Sequence, residues 1–318
     1  MSVQIANEEV QQSIMLAPES VRKQQKRRAL RENLKGYAFI SPFIIGFLAF
    51  TLIPIITSLY LSFTNYNLFS TPSWIGLENY KKMFTADPRY WHALKNTLIY
   101  VFCGVPLRLV FALLIAMMLN TASRAVGLYR SLFYLPSLIG GSVSVAIMWR
   151  NIFGDQGIIN LLLHFLGIPV VRWFGSPTAA LWMLIFLSVW QFGSSMLIFL
   201  AGLKGIPKSY YEAASMDGAN GWRQFTRVTL PMLSPIILFN LIMQTISAFM
   251  TFVPAFIISK GTGDPMDGTL LYSLYLFVQG FSFFNMGYAS AMAWIMLIFV
   301  GLLTGIIFLT SKFWVHYE

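Results

Sequence analysis

The sequence predicts an all-α polytopic membrane protein with about six transmembrane helices. Three observations carry this. The 318 residues are 57% hydrophobic and only 11% charged, whereas a soluble domain carries about 25% charge. The apolar residues fall in runs of the roughly 20 residues that a helix needs to cross the hydrocarbon core. The net charge of +10 lies almost entirely between those runs. In a soluble protein such basicity suggests nucleic acid. Here the positive-inside rule accounts for it, and no nucleic-acid partner is expected.

Residues 1–36 form a polar tail rich in Lys and Arg, and residues 37–318 form the membrane domain. The first apolar run lacks the small-residue cleavage site of a signal peptide, so it is expected to stay as a span. The six runs are Tyr37–Leu61, Thr97–Leu119, Leu128–Trp149, Ala179–Leu203, Met232–Ile258 and Met286–Thr310. Pro42, Pro54, Pro106, Pro136, Gly140 and Gly141 fall inside them, which buried membrane helices tolerate. Gly157–Leu166 is too short to span and reads as an amphipathic helix on the outer face. Gly301 and Gly305 have the spacing that permits close helix packing. With the N-terminus inside, the inner segments hold 14 of the 22 Lys and Arg, Arg124 among them. The outer segments hold 7, and Arg108 lies within the second span. That bias places both termini in the cytoplasm.

Several chemistries are excluded. Cys103 is the only cysteine, so there is no internal disulfide and no thiolate metal cluster. His92, His164 and His316 lie far apart in sequence and make no H-x-x-x-H pair. No phosphate-binding G-x-x-x-x-G-K-[ST] loop is present, so the chain itself is not expected to bind ATP. No catalytic triad or carboxylate pair stands out, so the chain reads as a non-enzyme without a cofactor of its own. The spans carry no acids of the kind an ion-coupled carrier would use, and no internal repeat is evident.

The loop at 204–231 is the most informative stretch. It reads as helix, turn, helix. Ser209 and Glu212 have capping-box spacing, with Pro207 just ahead. Gly218 and Gly221 break the first helix, and Asn220 between them tolerates left-handed backbone. Trp222–Thr229 forms the second helix, which Pro231 ends at the membrane. Ala213 and Ala214 leave a face without bulk, suited to a groove on another protein.

The spacing Glu212-Ala213-Ala214, then Gly218, then Val228-Thr229-Leu230-Pro231 resembles the signature of binding-protein-dependent ABC importer permeases, with Val in place of the usual Ile. Asp217-Gly218-Ala219 resembles the form common among sugar permeases. Ser62-Phe63, Gly76-Leu77, Asn79-Tyr80 and Asn96-Thr97 are similar to the first outer loop of the maltose and glycerol-3-phosphate permease family. Arg130 with Leu135-Pro136, Trp190-Gln191 and Ala201-Gly202-Leu203 extend the likeness to the third and fourth spans.

The resemblance implies a type I ABC importer permease fold in a bacterial cytoplasmic membrane. It implies that Glu212, Ala213, Ala214, Asp217 and Gly218 form a coupling helix docked on a separate ATPase. It also implies the partners: a second, homologous permease, two copies of an ATP-binding subunit that hold ATP and magnesium, an extracytoplasmic solute-binding protein, a sugar, and membrane lipid. A permease for another solute, such as a phosphate ester or an amino acid, is the alternative within the class. An ion-coupled secondary transporter is the alternative outside it.

Polar residues within spans should face the interior or a water-filled path. Ser188, Gln191 and Ser195 lie on one face of the fourth span, and Asn240, Gln244, Ser247 and Thr251 on one face of the fifth. In the maltose permease family these two spans contribute sugar contacts at about these positions. Phe249 points away from the fifth-span stripe. Arg108 is the anomaly, because a charge within a span costs from about 2.5 to above 10 kcal/mol. Three readings are open: it snorkels, it binds carbonyls, or it meets an anionic group on the substrate.

Overall fold

The computed structural model describes residues 19–120 and 126–316, with side chains from residue 30 onward. The readings of residues 1–18 and of Arg124 lie outside the described residues. The chain divides into two compact units, one up to Tyr60 and the other from Leu61 onward.

The first unit is helical from Glu19. Helix α1 (Glu19–Phe47) passes through a π-turn at Leu48–Leu52 into α2 (Ile53–Ser62). The expected boundary at Tyr37 is therefore not a helix boundary, and the helix extends back into the polar tail. Pro42 cannot donate to the carbonyl of Ala38, and the Ser41 hydroxyl donates to that carbonyl instead, at 2.8 Å.

In the second unit, α3 (Glu78–Thr85) leads to α4 (Pro88–Leu119). Asp87 caps α4 by accepting from the Tyr90 N–H, and Pro88 follows where no donor is needed. The second span is thus longer at its start than the apolar run beginning at Thr97. The third span is not one helix. Helices α5 (Val126–Ile139) and α6 (Val143–Ile152) meet at 101°. The Gly140-Gly141 pair permits the break, and Ser142 enforces it by capping α6 through the Val145 N–H. The amphipathic segment forms α7 (Ile158–Phe165) as expected. Buried Asn160 fixes it by donating to Gly154, Asp155 and Val171 carbonyls while accepting from Trp173 Nε1.

The fourth span is also broken. Helices α8 (Pro177–Trp190) and α9 (Gly193–Gly205) are bent by 41°. The loop helices α10 (Lys208–Met216) and α11 (Gly221–Gln224) follow. The chain then continues without interruption through a π-turn at Phe225–Thr229 into α12 (Leu230–Phe249). Pro231 therefore does not end the helix. It sits just after the widened turn, which absorbs its missing donor and its ring, and Leu230 N–H bonds to Phe225 O across the turn. Farther along, the carbonyl of Pro231 that Pro235 leaves free accepts from the Ser234 hydroxyl at 2.6 Å, as at Ser41 and Pro42.

The fifth span stops at Phe249 rather than running to Ile258. Short helix α13 (Val253–Ser259) follows a break at Met250, Thr251 and Phe252. The segment before the last span folds into α14 (Tyr272–Phe277) and a π-turn at Val278–Ser282, then α15 (Met286–Ser311). Among the described residues four helical stretches are long and apolar enough to cross a membrane, or six if each bent pair counts as one. Among the described residues nothing lies within 4 Å of where a Cβ would stand at Gly301 or Gly305, so the expected close packing is not made among them.

The segment between α13 and the last span is anchored to the start of α4. Arg89 pairs with Asp267 through Nη2 at 2.6 Å and Nε at 3.0 Å. Asn96 donates to the Asp267 carbonyl at 2.6 Å, and the Thr97 hydroxyl accepts the Tyr272 N–H that opens α14. Asp87 also accepts from the phenols of Tyr275 and Tyr288.

Candidate functional site

The breaks in the third, fourth and fifth spans converge on one cavity of about 390 Å³. Gly141 comes from the first break, Gln191 from the second, and Met250 to Pro254 from the third. Tyr100 and Arg108 reach it from α4. Non-helical backbone at membrane depth is tolerated where it is buried in protein or lines a cavity, so the breaks and the cavity explain each other.

Gln191 is the hinge of this arrangement. It ends α8, so its carbonyl is free of the helical ladder. That carbonyl accepts from Ser137 Oγ at 2.9 Å and from Arg108 Nη2. Its side-chain amide donates to the Gly140 carbonyl at 3.1 Å, while the Ser194 N–H donates to Ser137 Oγ at 3.0 Å. The broken third and fourth spans are thereby stitched together at their breaks. The contact is close enough that only glycine fits at 193: a Cβ there would stand 2.4 Å from the Phe133 carbonyl oxygen.

Of the expected path residues, Ser188, Gln191, Gln244, Ser247, Thr251 and Arg108 line the cavity. Two do not. Ser195 is fully buried, and its Oγ has no hydrogen-bond partner among the described residues. The break at Gln191 turns the helix face, so Ser194 takes the lining position that an unbroken helix would give to Ser195. Asn240 lies one turn before Gln244, is 1% exposed, and donates back to the Ile236 carbonyl. Phe249 is turned away, 2% exposed and edge-on to Phe299. The sequence reading missed Tyr100, which could have been found: Tyr100, Gly104 and Arg108 lie four apart on one face of α4. A larger cavity of about 490 Å³, around Asp87, Trp91, His92 and Lys95, holds none of the span breaks.

The loop at 204–231 is a helix, turn, helix as read, with three corrections. The capping box does not form: Pro207 occupies the cap position of α10, no side chain caps it, and Glu212 is exposed inside the helix. Asn220 is not left-handed but extended, and it caps α11 through the Arg223 N–H at 2.9 Å. Pro231 lies within a continuous helix, as described above. Gly218 does adopt left-handed backbone, at φ 73°, and closes α10 with Ala219 N–H bonded to Ala214 O. Gln224 ties the two helices by donating to Ser215 Oγ, and the Tyr211 and Thr229 hydroxyls meet at 3.0 Å. Glu212, Ala213, Asp217 and Gly218 are exposed and Ala214 is half-buried. Met216 and Trp222 stand 89% and 73% exposed beside them.

Residues 97–312 match the family described as "Binding-protein-dependent transport system inner membrane component". The chain is similar to the probable ABC transporter permease protein YesP of Bacillus subtilis, with 67% identity over 92% of this chain and 96% of that one. It is similar to the lactose transport system permease protein LacF of Rhizobium radiobacter, with 33% identity over 88% of this chain and 95% of that one. A solved structure of a bacterial ABC transporter involved in import of the acidic polysaccharide alginate shares the fold. Its TM-score is 0.73 at 22% identity, over 91% of this chain and 98% of that one. The helical spans, the loop carrying Glu212 and Gly218, and matches covering most of the sequence agree: the chain is a multi-pass membrane protein that belongs to the binding-protein-dependent transport system inner membrane component family, a permease of the ABC transporters and not an enzyme.

Proposed function

We propose that the chain is the permease subunit of an ABC importer that moves a saccharide across the bacterial cytoplasmic membrane. The observation that carries this is the cavity at the three span breaks. Its polar lining is mostly neutral: the amides of Gln191 and Gln244 and the hydroxyls of Ser188, Ser194, Ser247 and Thr251. Such groups exchange hydrogen bonds with sugar hydroxyls without the cost of removing several charges from water. Its volume falls within the roughly 300–1,000 Å³ of small-molecule sites. Relatives named for lactose and arabinooligosaccharide transport support the class of solute.

The same reading assigns the loop at 204–231 as the docking element for a separate ATP-binding subunit, present in two copies, which holds ATP and magnesium. Exposed Met216 and Trp222 beside Glu212 and Asp217 support a buried partner contact there. A second, homologous permease completes the pore, and a solute-binding protein delivers the sugar on the outer side. Both termini are cytoplasmic, the tail at 1–36 lies on that side, and residues 37–318 form the permease domain.

The test is uptake into proteoliposomes holding the complete importer, with saccharides, amino acids and phosphate esters offered in turn. ATP-dependent uptake of a saccharide is expected. Uptake of amino acids or phosphate esters alone, or uptake driven by an ion gradient without ATP, would overturn the reading.

A further inference from the structure

Arg108 places a permanent charge inside a span, and the described residues do not balance it. The guanidinium stays protonated at any physiological pH. Among the described residues its one hydrogen bond goes to the Gln191 carbonyl, and its buried Nε has no acceptor. No Asp or Glu lines the cavity with it, and the one ion pair among the described residues joins Arg89 to Asp267 instead. A neutral sugar does not need such a residue, because the neighbouring amides and hydroxyls already serve its hydroxyls. A charge held in a membrane at high cost is a site for something that compensates it.

We propose that the cavity takes an acidic saccharide and that Arg108 binds its carboxylate. This rests on the saccharide reading above and names the class of sugar. A planar guanidinium matches a carboxylate in shape and charge, through two parallel hydrogen bonds. The remaining lining then serves the ring hydroxyls. A phosphate ester fits less well, since its second charge would meet no further cation among the lining residues. A zwitterionic amino acid fits less well again, because nothing anionic lines the cavity to receive its ammonium group.

The experiment uses the complete importer in proteoliposomes with pairs of saccharides that differ only at one carbon, carboxylate against hydroxymethyl. The unmodified complex should import the acidic member of a pair faster. Arg108→Gln should lower the ratio of acidic to neutral uptake by about thirtyfold or more, the effect expected when one partner of a buried charge pair is removed. Arg108→Lys, which keeps the charge and loses the fork, should restore part of that ratio. The ratio is read only on complexes that stay assembled in size-exclusion chromatography. If Arg108→Gln does not assemble, the preference of the unmodified complex and of Arg108→Lys decides. Import of neutral saccharides alone would overturn this inference and leave the saccharide reading standing. Equal loss of both members in an assembled Arg108→Gln complex would also overturn it, as would preference for a sugar phosphate over the matching carboxylate. Failure to import any saccharide would instead overturn the reading beneath it.

Discussion

Gly193→Ala should weaken the joint between the third and fourth spans. A Cβ at 193 would lie 2.4 Å from the Phe133 carbonyl oxygen, 2.7 Å from Tyr134 Cα and 2.9 Å from Ser137 Oγ. The first two are backbone atoms, so no side chain can swing aside. Relief needs a separation of about 1 Å to reach ordinary contact distance. Overpacking of this kind costs about 1–3 kcal/mol. The same separation stretches the Ser137 bond to the Gln191 carbonyl and the Ser194 bond to Ser137, now 2.9 and 3.0 Å. Interhelical bonds of this sort contribute about 0.6 kcal/mol each. The expected loss is about 2–4 kcal/mol, or a thermal midpoint lowered by about 3–6 °C for a chain of 318 residues. The assay is thermal unfolding of the assembled importer in detergent, with uptake measured on the same preparation. Gly104→Ala is the control: its Cβ would meet Ile185 and Ser188 side chains at 3.9 and 4.0 Å, ordinary contacts. Relief of glycine's chain entropy should leave it equal to the parent or up to about 1 kcal/mol more stable. A Gly193→Ala complex that melts with the parent, or a Gly104→Ala complex that melts as early as Gly193→Ala, would refute the reasoning.

Glu212→Ala should leave the thermal midpoint of the permease within surface-substitution scatter of about 0.5 kcal/mol, because Glu212 is exposed and caps nothing. Co-purification of the ATP-binding subunit and ATP-driven uptake should fall, and normal values of both would remove the docking assignment. Gln244→Trp should fill part of the 390 Å³ cavity and lower saccharide uptake with assembly intact; unchanged uptake would show that the fifth-span residues do not border the path. In a Cys103→Ser background, a membrane-impermeant thiol reagent should label Asp264→Cys from outside and reach Glu212→Cys only after permeabilisation. The reverse pattern would invert the orientation.

The spans were legible because burial in lipid demands long apolar runs, and soluble architectures rarely supply that pattern. Their breaks were not, because Gly and Pro are tolerated inside buried helices and so do not announce themselves. At the third span the decisive residue was Ser142, whose hydroxyl caps a new helix, and a serine in an apolar run carries no such label. The consequence for the site was specific. Ser188 and Gln191 precede the 41° bend and line the cavity, whereas Ser195 follows it and does not. Asn240 shares a helix face with Gln244 but lies too far along the axis to reach the cavity. The loop at 204–231 was legible in outline because Gly218 must be left-handed. The capping box failed because Pro207 takes the cap position first.

From Gly221 to Phe249 the chain is one rod, kept in register through the π-turn. It is pressed against α9 at Gly202, where a Cβ would stand 2.1 Å from Ile236 Cδ1 and 2.9 Å from Leu233 Cδ2. A contact that tight acts as a fulcrum. At about 1.5 Å per residue, the arm toward Gly221 is about 20 Å long and the arm toward Gln244 about 15 Å. A thrust that displaces the loop end by about 2 Å therefore swings Gln244 by about 1.5 Å in the opposite direction. About such a fulcrum the two ends would move in antiphase, so a displacement at Trp222 would reach the cavity wall with the opposite sign. The sign of that motion is set by where the rod is pinned, not by the chemistry of the residues along it.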